Sequence, residues 1–301
     1  MDTIINTDKN IFGSSTFKWA ITPESLFTYQ TLFTSLLTGK LDASISERQP
    51  QANINFIFDS SNNQIHPTDS TEIPEGSVAV VRIVGSMFRY GNYYYWGADE
   101  ITRILRYFDA HPNVIGIVLK IDTGGGQVAA VAPYKEFFLN KTKPVVGLYE
   151  TCGSAGLWTG SFTDFAFAEN NISAMMGSVG VMANFRSFIK YYEDLGIIDH
   201  NIKSNYSEDK NDGFDLAMKG DYTKIKAEHL DPLALKFQDD LKNNLPSLKA
   251  DTPGLLTGKM FYAEDSLKYG LIDGIGTMAT AIDKVRELAE LQMQVSNFMN
   301  N

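Results

Sequence analysis

An α/β fold with a mostly parallel sheet is what this sequence predicts, and three observations predict it. From Gly76 onward, short continuous apolar runs of strand length alternate with stretches whose apolar residues recur at helical spacing. Two of those runs lead into glycine-rich turns that are followed at once by helical sequence. The 301 residues, 44% of them apolar, are also enough to bury a substantial core.

The run Val78 to Val84 reads as a strand buried on both faces, followed by Gly85 and an aromatic-rich loop, Tyr90 to Trp96, placed where it can cover a groove or pack on the fold. Asp99 to Ala110 carries Ile101, Ile104, Leu105 and Phe108 at helical spacing, and Pro112 stops that helix before the strand Val114 to Ile121. Strand, helix, strand units of this kind cross over right-handedly, so the strand ends line up along one sheet edge where loops gather into a site. A helix from about Ala129 to Asn140 and a strand from Pro144 to Tyr149 repeat the unit. Further on, Asn184 to Leu195 shows Phe185, Phe188, Ile189, Tyr192 and Leu195 at helical spacing. Residues 222–245 read as a charged helix broken near Pro232, and Thr277 to Leu291 as a closing helix. Upstream, Thr22-Pro23 marks a helix start that runs to about Leu37. Residues 41–75 mix turn formers with one short apolar run, Ile54 to Phe58. The expected organisation is an N-terminal arm and linker over 1–75, a main domain over 76–291 and a frayed tail over 292–301.

Composition narrows the function. The single cysteine, Cys152, excludes an internal disulfide framework and a multi-cysteine metal site, and the four histidines (His66, His111, His200, His229) lack metal-ligand spacing, so neither metal nor other cofactor is expected. The formal charge of -10 opposes nonspecific adhesion to nucleic acid or anionic membranes. No stretch has the roughly 18 continuous apolar residues of a membrane span, and the first twenty residues lack a secretory apolar middle; a cytoplasmic protein is the expectation.

The chemistry concentrates in residues 145–160, where the apolar run ends in Cys152-Gly-Ser-Ala-Gly156 and helical sequence follows. A serine at such a strand-to-helix elbow is presented by the tight turn beside helix-start N–H groups, which suits Ser154 as a nucleophile in acyl transfer. The same tetrapeptide also fits a close-packed turn without chemistry. At the same sheet edge comes Asp122-Thr-Gly-Gly-Gly-Gln-Val128, whose glycines permit close backbone approach and free N–H groups for an anion. No Gly-Lys-Ser/Thr follows, so a phosphate loop is not indicated. The N–H groups of Gly126 and Ala155 are the candidate oxyanion donors, with Gly125 in the substrate-binding turn. Cys152 has no base motif beside it and reads as a small buried residue; Asp164 reads as a structural aspartate bonding backbone at a turn.

These motifs resemble the signal peptide peptidase A family of serine peptidases, including its phage-type members that act in head maturation. Thr123-Gly-Gly-Gly-Gln-Val128 is similar to that family's oxyanion turn, Gly153-Ser-Ala-Gly-Leu-Trp158 to its nucleophile turn, and Gly177-Ser-Val-Gly-Val181 to its Gly-Ser-Ile-Gly-Val segment. Leu195-Gly-Ile197 and Tyr269-Gly-Leu-Ile-Asp273 follow in the family's order, as does Gly258-Lys-Met-Phe-Tyr-Ala-Glu264 at a helix entry. The resemblance covers about residues 75–285. It implies the Clp protease and crotonase-like fold, a polypeptide substrate, assembly into homo-oligomeric rings, and a serine–lysine dyad. A lysine takes the serine proton only if neutral, so burial and cationic neighbours must lower its pKa.

The lysine is where this sequence departs from the family. Without a gap, the family's dyad lysine falls on Glu208; two inserted residues align Lys210-Asn-Asp-Gly213 with the Lys-Val-Asp-Gly of phage-type members and make Lys210 the base, and a loop absorbs two residues cheaply. Lys203 is a further substitute, and His200 a distant alternative base. Three readings follow: a serine endopeptidase using Ser154 and Lys210, a catalytically silent assembly or scaffold protein of the same fold, and a crotonase-type acyl-CoA enzyme. The phage-type motif points the first toward capsid or scaffold processing, in the cytoplasm of a bacterium carrying a phage or prophage.

Overall fold

The computed structural model describes residues 19–21, 54–66, 72–92, 95–185, 187, 189–198 and 200–299. The helix expected from Thr22 to about Leu37 lies outside them.

Strands β1 (Trp19–Ile21), β2 (Asn55–Phe58), β3 (Gln64–Ile65) and β4 (Ser77–Val84) precede α1 (Ala98–Ala110), the first helix among the described residues. Then come β5 (Val114–Thr123), β6 (Gly125–Gln127), α2 (Val131–Asn140), β7 (Val145–Gly153), α3 (Ala155–Gly160), β8 (Phe165–Ala168) and β9 (Met175–Gly177). The chain closes with α4 (Ile189–Asp194), α5 (Asp212–Met218), α6 (Asp231–Asn244), β10 (Met260–Tyr262), α7 (Ala263–Lys268), β11 (Gly274–Ile275) and α8 (Met278–Met299).

The main sheet runs β10-β9-β7-β5-β4-β2-β3, with β8 beside the first half of β7 and β11 beside β8. Its centre, β4, β5 and β7, is parallel, and β7 is parallel to both β8 and β9; β2, β3 and β10 pair antiparallel at the two ends. The fold is therefore α/β around a mostly parallel sheet, as the alternating sequence pattern predicts. Side chains alternate across the pleat. Val78, Val80, Val118, Val146 and Leu148 face Ala281, Ile282 and Val285 of α8 on one side. Ala79, Val81, Ile117, Leu119, Ile121 and Tyr149 face the larger core with α1, α2 and α3 on the other. Burial on both faces explains why these strands read as continuous apolar runs rather than alternating ones.

Three elements depart from the sequence reading. The run Ile54 to Phe58, expected within an arm or linker, supplies β2, which pairs antiparallel with β4 and buries Ile54 and Ile57. Of the helix expected over Asn184 to Leu195, Phe188 lies outside the described residues and α4 is what the described residues hold; it buries none of its residues, and Ile189 and Tyr192, and Leu195 just beyond it, are exposed. The closing helix continues past Leu291 to Met299, over residues that contain no Gly or Pro. The break near Pro232 takes the form of a π-turn over Lys226–Leu230 that leads into α6.

Candidate active site

β7 runs beyond Tyr149 to Gly153, because Thr151, Cys152 and Gly153 find a second neighbour in β9, pairing with Met175, Met176 and Gly177. The chain then reverses at Ser154, with φ 54° and ψ −115°, and enters α3. A non-glycine residue at positive φ is strained and persists only where its surroundings hold it. The holding contacts are specific. The Ser154 N–H donates to the Gly177 carbonyl (2.8 Å) and the Ser154 carbonyl accepts from the Trp158 N–H (2.9 Å). Gly177 sits at φ 144°, and a Cβ there would lie 2.2 Å from the Lys259 carbonyl oxygen, so the strand that receives the Ser154 N–H is itself clamped by the β10 side of the sheet. The next N–H, of Ser178, donates to that same Lys259 carbonyl (2.9 Å).

The glycine-rich turn arrives beside this elbow. A Cβ on Gly156 would stand 2.5 Å from Thr123 Cγ2, so only glycine lets α3 approach the end of β5 this closely. Thr123 ties the turn internally: its hydroxyl donates to the Gly85 carbonyl and accepts from the Gly125 N–H (3.0 Å). Met87 holds β6 from one side, its N–H donating to the Gly125 carbonyl (2.9 Å) and its carbonyl accepting from the Gln127 N–H (2.9 Å). Both main-chain groups of Gly125 are thus engaged inside the turn. Because successive residues of a strand face opposite edges, the N–H and C=O of Gly126 point away from Met87. On that opposite edge stands β1, antiparallel, with Ala20 across from Gly126. Ala155 is the first residue of α3, and its N–H belongs to the donors that a helix start leaves without an intrahelical acceptor.

Ser154 is 1% exposed, and among the described residues no side chain hydrogen-bonds to its hydroxyl. Lys210 lies outside hydrogen-bond reach of it. It sits exposed in the turn before α5, its main-chain N–H donating to the Ser207 carbonyl (3.1 Å), and its amine makes no ion pair or hydrogen bond among the described residues. Lys203 is committed elsewhere, to Asp215 at 2.6 Å, while Glu208 and His200 are exposed. Within one chain the structure therefore joins Ser154, Ala155, Gly125 and Gly126 at one sheet edge and leaves Lys210 apart. No group of His, Cys, Asp and Glu that could hold a metal occurs among the described residues.

Cys152 and Asp164 take the roles their sequence context suggests. Cys152 is fully buried in the core, and burial pushes its thiol well above the usual range, which leaves it neutral and unreactive. Asp164 accepts from the Val145 N–H (2.7 Å) and the Lys141 amine (2.6 Å), fixing the start of β7. The support behind the nucleophile helix leaves no mark in the sequence. Trp158 stacks on Phe237 of α6 with ring centroids 4.6 Å apart, and its Nε1–H donates to Asp240 Oδ2 (2.7 Å), a carboxylate that also takes the Lys135 amine (2.7 Å). Nothing local in the sequence links residues that far apart.

A serine on a strained elbow, flanked by a glycine turn with an outward main-chain amide, is an arrangement that suits acyl transfer on an α/β fold. The sequence profile of Peptidase family S49 matches residues 137–292, and the chain belongs to that family. It is 24% identical over 197 residues to Protease 4 of Haemophilus influenzae, covering 64% of this chain and 31% of that protein. It is 21% identical over 201 residues to the chloroplastic serine protease SPPA of Arabidopsis thaliana, covering 65% of this chain and 29% of that one. The chain spans about a third of the length of these two relatives. Among solved structures, an enoyl-CoA hydratase from Shewanella pealeana aligns over 76% of this chain and 79% of its own, at a TM-score of 0.42 and 12% identity. No helix among the described residues is long and apolar enough to cross a membrane.

Proposed function

We propose that this chain is a serine endopeptidase acting on extended polypeptides, with Ser154 as nucleophile and Lys210 of a second copy as its base. The observation that carries the reading is the backbone at Ser154, a strained φ of 54° fixed from both sides beside two outward amides. In the proposed reaction Ser154 Oγ attacks the scissile carbonyl while its proton passes to neutral Lys210 Nζ. The Gly126 and Ala155 N–H groups receive the charge that develops on the carbonyl oxygen. Lys210 returns the proton to the leaving amine, and water hydrolyses the acyl-enzyme with the lysine again taking a proton. Gly125, at φ 107°, lets the turn hold this shape.

Assembly is what joins the two halves of the dyad in this reading. The loop that carries Lys210 also exposes Ile202 (90%) and Tyr206 (99%), and Ile197 and Ile198 just before them are exposed as well; contiguous large apolar residues at a surface mark an interface. A ring of copies would cover them and enclose the site, restricting cleavage to unfolded or extended chains. The phage-type Lys210-Asn-Asp-Gly213 motif makes a capsid or scaffold protein the substrate class we propose. The exposure of Lys210 in the single chain equally favours a second reading, a silent assembly protein that has kept the fold.

Covalent labelling with a fluorophosphonate, read by intact mass, separates the two. The peptidase reading expects a single adduct on Ser154, none in Ser154→Ala, and a rate lowered by roughly 10²–10⁴ in Lys210→Ala. Oligomers that form normally yet never label at Ser154 would establish the silent protein.

A further inference from the structure

The edge of β6 that faces away from Met87 is occupied by the chain's own N-terminal segment. β1 lies antiparallel to it, with Trp19 opposite Gln127, Ala20 opposite Gly126 and Ile21 opposite Gly125. The register decides what this pairing does. Gly125 C=O and Gln127 N–H are already bonded to Met87, so the groups of β6 that meet β1 are those of Gly126, and in an antiparallel ladder the residue directly opposite exchanges both bonds with it. Ala20 therefore engages the same N–H that an attacked carbonyl would need. Ser154 is at the same time 1% exposed, so a polypeptide reaches it only after something moves. An extended segment added to a free sheet edge is also how many proteins hold peptides, with main-chain bonds supplying affinity.

We propose that Trp19–Ile21 is an intramolecular competitor: it fills the β6 edge as a strand, closes the site in the free protein, and must leave before an extended polypeptide can enter. The inference rests on the assignment of Gly126 to the active site made above. The chemistry of the occupant follows from the pairing, a short extended segment recognised through its main chain. The segment belongs to the same chain as the edge it fills, and intramolecular binding of that kind carries effective concentrations on the order of 1 mM. A segment that binds in trans with a dissociation constant of about 0.1 mM would then weaken an added competitor roughly tenfold.

Full-length Ser154→Ala is compared with and without Ala20→Pro, which removes the N–H that pairs with Gly126; Asn10→Pro serves as a proline control upstream of β1. Two readouts need no catalysis. In residue-resolved hydrogen exchange, Ala20→Pro is expected to speed exchange at Gly126 at least tenfold and leave Gln127, bonded to Met87, unchanged, with Asn10→Pro like the parent. A fluorescent peptide copying residues 16–24 is expected to bind Ala20→Pro at least tenfold more tightly than the parent. Unchanged exchange at Gly126, or equal peptide binding by the two chains, would overturn the proposal. Fluorophosphonate labelling of the same arm variant on the Ser154 background reads the peptidase assignment separately. Absence of labelling there removes the hydrolase, while exchange and peptide binding still decide whether the segment competes.

Discussion

Replacing Gly177 with alanine tests whether the elbow is held where it is by the strand beside it. The added Cβ would lie 2.2 Å from the Lys259 carbonyl oxygen and 2.9 Å from Met260 Cα, about 1.2 Å short of the 3.4 Å at which ordinary contact begins, and both obstacles are backbone. Residue 177 also stands at φ 144°, where a side chain costs on the order of 1–3 kcal/mol. The β10 side cannot yield by a rotamer change, so β9 itself must shift by about an ångström. Its carbonyl, which accepts the Ser154 N–H at 2.8 Å, shifts with it. A displacement of that size at a reacting group costs roughly 10²-fold in rate. We therefore expect Gly177→Ala to lower the fluorophosphonate labelling rate of Ser154 by about 10²-fold, and Tm by roughly 2–10 °C. Gly180→Ala is the control: it also imposes a positive φ, 155°, but its Cβ would meet nothing within 4 Å, so stability falls while labelling stays within about threefold of the parent. Labelling of Gly177→Ala at the parental rate would show that β9 does not hold the serine elbow in place.

Asp240→Ala should leave the buried Trp158 indole N–H without an acceptor at a cost of about 1–3 kcal/mol, lowering Tm by differential scanning calorimetry and slowing labelling through a loosened α3. Thr123→Val keeps the side chain's shape but removes the hydroxyl that bonds Gly85 and Gly125. A fall of about tenfold or more in the labelling rate is expected, with a stability loss of about 1–2 kcal/mol by denaturant titration, and a parental rate would show that this hydroxyl does not set the turn. Cys152 should resist iodoacetamide at pH 8 in the native chain and react on unfolding. Burial raises its folded-state pKa, so the folded chain holds the thiol proton more tightly than the unfolded chain, which ionises above about pH 8.5. The stabilisation is full below that pH and is lost as pH rises toward the folded-state value. The decline of Tm between pH 8 and 9.5 should accordingly be shallower in Cys152→Ala, and parallel curves would exclude the linkage.

Much of the architecture was legible because buried parallel strands and one-faced helices leave strong local patterns. β4, β5, α1 and α2 lie where apolar runs and helical spacing put them. The two glycine-bearing turns were legible for the same reason, since close approach of α3 to Thr123 admits no side chain at Gly156. What the sequence hid depends on partners distant along the chain. β7 extends to Gly153 only because β9 receives it, and Ile54 to Phe58 becomes a strand because β4 offers an edge. The Trp158 to Asp240 bond joins residues with no shared motif. The apolar stripe at 184–195 misled in the opposite direction: its spacing signals a face to be buried, yet Ile189, Tyr192 and Leu195 are exposed, and nothing among the described residues buries them. A periodic pattern records that a face is to be covered and does not say by which chain. The same holds for Lys210, whose motif gives its residue type and not its place relative to Ser154.

The proposed dyad is tested by the distance between Lys210 Nζ and Ser154 Oγ in a crystal structure of the assembled oligomer carrying a fluorophosphonate adduct on the serine. The expected result is an amine from Lys210 of a neighbouring copy about 2.6–3.2 Å from Oγ, with the Gly126 and Ala155 N–H groups on the adduct's oxygen. An assembled site in which no lysine from any copy reaches Oγ, or in which those two amides point elsewhere, would contradict it.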